Sequence, residues 1–270
     1  MICDCEEVVK TKNHACVSRR NPVICLLSER DRQKEEIMNR IVLDTETTGS
    51  VDNHKTLRVY DFGFVVLDGN DEVINSFNWV VREVFFDDFA MSGAYYADKL
   101  PQYRAEIACG MREVKNFAAI KKDFAAICKE YDVKQVWAYN AGFDRDALNA
   151  TTTALSNGIC NYFLPYGVVW CDIMQNAARL ICDTQKYFAF ATEHNYVSTK
   201  GNLKTSAECV YRFLTGNADF AEAHTGLKDA EIEAEILHAC RKLKRKMQKD
   251  IAKNAWRIPQ KGFKEFQKAN

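Results

Sequence analysis

The segment Ile41-Val42-Leu43-Asp44-Thr45-Glu46-Thr47-Thr48-Gly49 joins a strand signal to two acids. Ile41 to Glu46 has the pattern of a strand, and Thr47-Thr48-Gly49 closes it with turn chemistry. Side chains alternate along a strand, so Asp44 and Glu46 emerge on one face. Two carboxylates that close repel each other, and burying them is costly unless a cation lies between them. A strand end carrying such a pair suits a hard cation with oxygen ligands, Mg²⁺ or Mn²⁺. Taken alone, the pair is more simply two solvated acids on a surface strand.

The pattern stays regular on the downstream side. Arg58–Leu67 and Glu72–Val81 are strand-like and are separated by Asp68-Gly69-Asn70-Asp71, a hairpin turn composition, which predicts a three-stranded meander. An aromatic-rich stretch from Phe85 to Tyr103 has no regular period. Val114, Phe117, Ala118, Phe124, Ala125, Cys128 and Tyr131 then share one helical face. Lys134–Tyr139 predicts a fourth strand, and Asn140 to Asp144 a turn into a helix ending at Leu155. Val168–Cys171 predicts a fifth strand, with Asp172 as N-cap of a helix to Ile181. A helix over about Lys204 to Leu214 follows. The last helix has Thr225 as its N-cap, and its stripe Ile232, Ile236, Cys240, Leu243, Met247, Ile251 predicts that it runs on to Ile251. Three strands followed by alternating helix and strand predict an α/β chain with a mixed sheet and helices on its faces.

The chain has 270 residues, 47% hydrophobic and 27% charged, the composition of an ordinary globular protein. No apolar run approaches the ~20 residues of a membrane span. The start, Met1-Ile-Cys-Asp-Cys-Glu-Glu7, is acidic where a signal peptide is basic and then apolar, so a cytoplasmic location is expected. Eleven cysteines, an odd number, suit reduced thiols. Residues 1–37 read as an N-terminal extension, unstructured or leader, with Met38 as initiator: Lys34 to Met38 is encodable by a purine-rich ribosome-binding sequence and a start codon. Cys3, Cys5, His14, Cys16 and Cys25 fit no standard zinc spacing. Lys+Arg and Asp+Glu balance at 37 each, yet Arg241 to Asn270 carries eleven Lys/Arg against Asp250 and Glu265. That local excess polarises the molecule and suggests phosphate contact.

Two further segments carry chemistry. Asn140-Ala-Gly-Phe-Asp144 places a third carboxylate at a helix start, where an isolated Asp is also favoured by the helix dipole. His224-Thr-Gly-Leu-Lys-Asp229 places a histidine in a loop and an aspartate one turn into the next helix. Together, Asp44-Thr-Glu46, Asn140-x-x-x-Asp144 and His224-x-x-x-x-Asp229, in this order, resemble the DEDDh 3′–5′ exonucleases of the DnaQ-like superfamily. The resemblance covers about Met38 to Cys240. Tyr139 departs from the histidine many members carry before the Asn, Gly226 from the Ala between the His and the Asp, and Phe85–Met111 matches poorly.

The resemblance implies a ribonuclease H-like fold, with a five-stranded mixed sheet (three antiparallel strands, then parallel ones) flanked by helices. It implies an exonuclease domain over 38–240; the charge distribution sets 241–270 apart as a basic helix or tail. The implied activity is metal-dependent hydrolysis at the 3′ end of a nucleic acid, single-stranded DNA favoured, releasing nucleoside 5′-monophosphates; degradation of RNA oligomers is the close alternative. Asp44, Glu46, Asp144 and Asp229 would hold two divalent cations, Mg²⁺ or Mn²⁺, and His224 would be the general base. Thr45, Thr47, Asn140 and Phe143 would contact the terminal nucleotide. A DNA polymerase or other replication protein is the kind of partner such an enzyme takes. A non-catalytic nucleic-acid-binding subunit would have no use for four converging acids, and a ribonuclease H-type endonuclease would not require His224.

Overall fold

Six strands form one mixed sheet, in the order β4-β3-β2-β1-β5-β6, in the computed structural model, which describes residues 38–49, 56–94 and 96–269. The leader and zinc readings of residues 1–37 lie outside the described residues. β1 (Arg40–Thr47), β2 (Val59–Leu67) and β3 (Val73–Val81) make the antiparallel meander. In its tight turn the Asp68 carboxylate accepts the N–H groups of Asn70 and Glu72 at 2.8 and 2.9 Å, and Asp71 takes a positive φ. On the other side of β1 lie β5 (Gln135–Ala138) and then β6 (Val169–Asp172), both parallel to their neighbours.

The sheet has one strand more than expected. β4 (Glu113–Lys115) pairs in parallel with β3 at the edge. Val114 therefore belongs to a strand and not to the helical stripe it completes in sequence. The helix α4 (Phe117–Glu130) begins only at its N-cap Asn116, whose side chain accepts from Ala119 N–H at 2.7 Å. Three polar-flanked residues are too few to register a period of two. The aperiodic aromatic stretch is also more ordered than expected: it follows α1 (Arg82–Phe85) and holds α2 (Asp88–Met91), a 3₁₀ turn at Ala97–Lys99 and the start of α3 (Leu100–Ala108).

The sheet is sandwiched between two layers. Ile41 and Leu43 of β1 face α4 and α5 (Gly142–Leu155), in a core that includes Phe62, Phe64, Phe124 and Leu148. Val42 faces the opposite layer. That layer is built from α6 (Ile173–Ala177) and its π-helical continuation Ala178–Cys182, α7 (Gln185–Glu193), α8 (Ala207–Thr215) and α9 (Gly226–Lys242). Asp172 caps α6 as its sequence position suggests, accepting from Gln175 N–H. Thr225 stands at the N-cap of α9 without using its side chain. The seven described cysteines are free thiols, and five are buried. Among the described residues no helix is long and apolar enough to cross a membrane.

The stripe that predicts a helix to Ile251 is broken after Lys242. At the end of α9, Arg241 pairs with Asp71 of the hairpin turn, and His238 meets the same carboxylate at 3.1 Å. The helix has reached the hairpin end of β2 and β3, Leu243 is exposed, and Lys244 takes a positive φ. Met247 then packs in the α9 layer, whereas Ile251 packs in the other core. After a 3₁₀ turn at Ala255–Arg257, α10 (Gln260–Ala269) docks Phe263 against Phe188 of α7.

Candidate active site

Asp44 and Glu46 stand at the end of β1 on the α9 side. What brings α9 to them is a contact with no room for side chains. A Cβ on Gly63 of β2 would lie 1.9 Å from Leu227 N, and one on Gly226 would lie 2.7 Å from Gly63 N. This accounts for a glycine at position 226. Gly226 N–H donates to Asp61 at 2.9 Å, and Asp61 also accepts the Tyr103 hydroxyl at 2.6 Å and pairs with Arg112. A fully buried carboxylate of β2 thereby fixes the start of α9 and the α3 region together. Asp229, one turn into α9, is thus set opposite Asp44 and Glu46.

Asp144 arrives from the other layer. Asn140 leaves β5 with a φ of 63°, a left-handed turn that Asn tolerates well. α5 then starts, and Asp144 in its first turn is 98% buried, accepting the Thr45 hydroxyl at 2.8 Å. His224, also at positive φ, precedes α9. Although it lies in a loop, its ring is packed. It stacks on Tyr96 with centroids 4.3 Å apart and planes 10° apart.

These groups surround a cavity of about 510 Å³. Of the nine residues singled out in sequence, Asp44, Thr45, Glu46, Thr47, Asn140, Phe143, His224 and Asp229 line it. Asp144 lies just beneath, behind Thr45. Seven further residues line it, among them Tyr96, Tyr139, Met174, Glu222 and Glu233, which the sequence reading did not assign to the site. Tyr139 is marked in sequence by its place before Asn140, and Glu233 by following Asp229 at four residues and so sharing its helix face. Tyr96 lies in the aperiodic stretch and Glu222 in a loop. Tyr139 is held by its hydroxyl, which donates to Thr205 O at 2.6 Å, while its N–H donates to Glu233 at 2.9 Å.

The cavity is electrically one-sided. Burial, then the charges of Glu233, Asp144, Glu46 and Asp229, push the Asp44 carboxyl well above its ordinary range. Burial, then Asp61, Asp229 and other acids, raise Glu46 to about 9. Burial raises Asp144 to about 7, against the opposing Thr45 hydrogen bond. Burial and Glu222 raise Asp229 to about 7, while the backbone at His224 and Thr225 pulls the other way. Among the described residues no cation ranks among the main influences on these four acids. One Asp229 oxygen, Oδ1, is buried with no hydrogen-bond partner. Glu46, His224 and Asp229 can each direct one ligand atom to within 4.8 Å of the others. Converging acids, an orphaned oxygen and missing countercharge fit divalent cations with oxygen ligands. Burial lowers the His224 pKa, which favours the neutral ring.

No protein-family model matches the sequence, and no curated protein does. Solved structures do. A full-length 3′-exonuclease aligns over 82% of this chain and 89% of its own, at 15% identity and a TM-score of 0.50. E. coli exonuclease I in complex with a dA16 oligonucleotide aligns over 74% of this chain at 15% identity and a TM-score of 0.45. The match takes in 40% of the exonuclease I chain. Exonuclease X in complex with 5′ overhanging duplex DNA aligns over 78% of this chain and 97% of its own, at 16% identity and a TM-score of 0.43. At such identities the full-length 3′-exonuclease shares with this chain its fold, a ribonuclease H-like α/β sandwich around a mixed sheet.

Proposed function

We propose that this chain is a metal-dependent 3′–5′ exonuclease that removes nucleoside 5′-monophosphates from the 3′ end of a nucleic acid, single-stranded DNA in preference. The observation that carries this reading is the meeting of Asp44, Glu46, Asp144 and Asp229 with His224 around one open cavity. Asp44, Glu46, Asp144 and Asp229 would hold two divalent cations, Mg²⁺ or Mn²⁺. Bound there, such ions supply Lewis acidity and neutralise charge at the phosphate.

The remaining steps belong to the chain's own groups. A neutral His224 takes the proton of the attacking water as its oxygen bonds to phosphorus and the bond to the preceding 3′ oxygen breaks. The Tyr96 stack holds the imidazole at the cavity wall, so the acceptor nitrogen need not be positioned anew in each turnover. Thr45 keeps Asp144 oriented through its hydroxyl. Phe143 and Asn140 offer an apolar face and an amide where a terminal base and sugar would lie, with Thr47 beside them.

The test is a strand labelled at its 3′ end, in matched DNA and RNA forms. Labelled mononucleotide should appear first, faster from DNA, and excess chelator, Asp44→Ala or Asp229→Ala should abolish it. Internal cuts, or no cleavage of either strand, would overturn the reading. Faster release from RNA would make the chain an exoribonuclease of the same chemistry.

A further inference from the structure

The chain beyond α9 doubles back toward the cavity. Arg179 of the π-helical turn donates to Lys246 O. Closer to the sheet, the Asn176 side chain donates to Gln248 O at 2.9 Å and accepts from Gln248 N–H at 2.8 Å. Ile251 then reaches Gly142, where a Cβ would lie 3.5 Å from the Ile251 side chain. Gly142 sits between the cavity-lining residues Asn140 and Phe143, and Asn176 lies two residues from the cavity-lining Met174. Residues 244–253 therefore form a strap laid along α6 that ends at the cavity rim. Lys244, Arg245, Lys246, Lys249 and Lys253 are its exposed cations, against the single acid Asp250.

We infer that this strap is a track for the phosphodiester backbone of the strand whose 3′ end enters the cavity. The inference rests on the exonuclease reading and adds the path of the strand outside the cavity. Its physical basis is charge. A polyanion approaching a cavity lined by Asp44, Glu46, Glu222, Asp229 and Glu233 is repelled unless cations border its route. The strap carries cations and is pinned by hydrogen bonds between its backbone and the side chains of Arg179 and Asn176. Such contacts hold phosphates without reading bases, so affinity should be independent of sequence.

The experiment measures binding of a 5′-labelled oligothymidylate to the full chain in Ca²⁺ across a salt series. One variant carries Lys246→Ser, Lys249→Ser and Lys253→Ser in the strap. A second carries Lys261→Ser, Lys264→Ser and Lys268→Ser in α10, an equal loss of charge outside the strap, on the helix docked against α7; melting temperatures confirm that both fold. Each phosphate contact contributes about 0.7 to the salt slope of single-strand binding, so the strap variant should lose about 2 and the α10 variant nothing. Equal slopes in all three proteins, or equal losses in both variants, would overturn the track. Release of the 3′ label by the intact chain, assayed separately, tells this failure from failure of the exonuclease reading.

Discussion

The backbone N–H of Tyr139 donates to the Glu233 carboxylate over 2.9 Å, tying the residue that follows β5 to α9 one turn beyond Asp229. The bond satisfies an amide that the sheet leaves unpaired. It also sets another acid against Asp44, for which Glu233 is the foremost of the neighbouring charges. Scaffold and chemistry are joined at this contact.

Glu233→Gln keeps an acceptor for Tyr139 and removes the charge. Burial and Asp144 hold the Glu233 carboxyl well above its ordinary range, so the metal-free protein should melt higher only at the alkaline pH where Glu233 ionises, by about 2–4 °C for each kcal/mol of relieved repulsion in a domain near this size. Mn²⁺ affinity should fall with the lost negative charge. Melting curves with and without Mn²⁺ check both; identical curves would mean that Glu233 carries no charge in either state.

His224→Ala should lower turnover at neutral pH by about 10²–10⁴-fold, the usual contribution of a general base. Tyr96→Phe preserves the stacking ring and should keep near-normal turnover. Tyr96→Ala should lower kcat more than it raises KM, because it frees the imidazole without removing it. Steady-state kinetics on a 3′-labelled strand separate these cases, and normal turnover in His224→Ala would remove the base role.

Burial and mutual repulsion raise Asp144 and Asp229 to about 7 and Glu46 to about 9, whereas unfolded carboxyls titrate near ~4. Between those limits the native state binds more protons than the unfolded chain, so metal-free stability should be full below pH ~4 and fall as pH rises. Each net proton retained corresponds to about 1.4 kcal/mol lost per pH unit. Saturating Mg²⁺ displaces those protons and should flatten the profile. Urea denaturation from acid to mildly alkaline pH measures it, and a flat metal-free profile would contradict the assigned acid cluster.

Asp61→Ala leaves the buried Arg112 with Glu106 but without its fully buried partner, and leaves Tyr103 and Gly226 N–H without their acceptor. The cost should be about 3–5 kcal/mol, as for a buried ion pair broken from one side. Chemical denaturation gives the value directly. A cost below about 1 kcal/mol, the level of an exposed pair, would mean that Asp61 does not anchor α9.

Local physics made much of this protein legible in its sequence. The alternation around Asp44 and Glu46, the Asp68–Asp71 turn and the Asp172 cap each depend on residues within a few positions of one another, so composition and period suffice to read them. The order of the three acidic segments then named a fold that the solved 3′-exonuclease shares. Other features depend on what a segment meets. Asp61 is an anchor because Tyr103, Arg112 and Gly226 converge on it from three distant stretches. Tyr96 faces His224 across more than a hundred residues of chain. The stripe Leu243, Met247, Ile251 is written as helix, yet α9 stops where Arg241 reaches Asp71, because past that turn no sheet remains for an apolar face to cover. Periodicity states which face is apolar; only the tertiary structure decides how far there is a surface to bury it against.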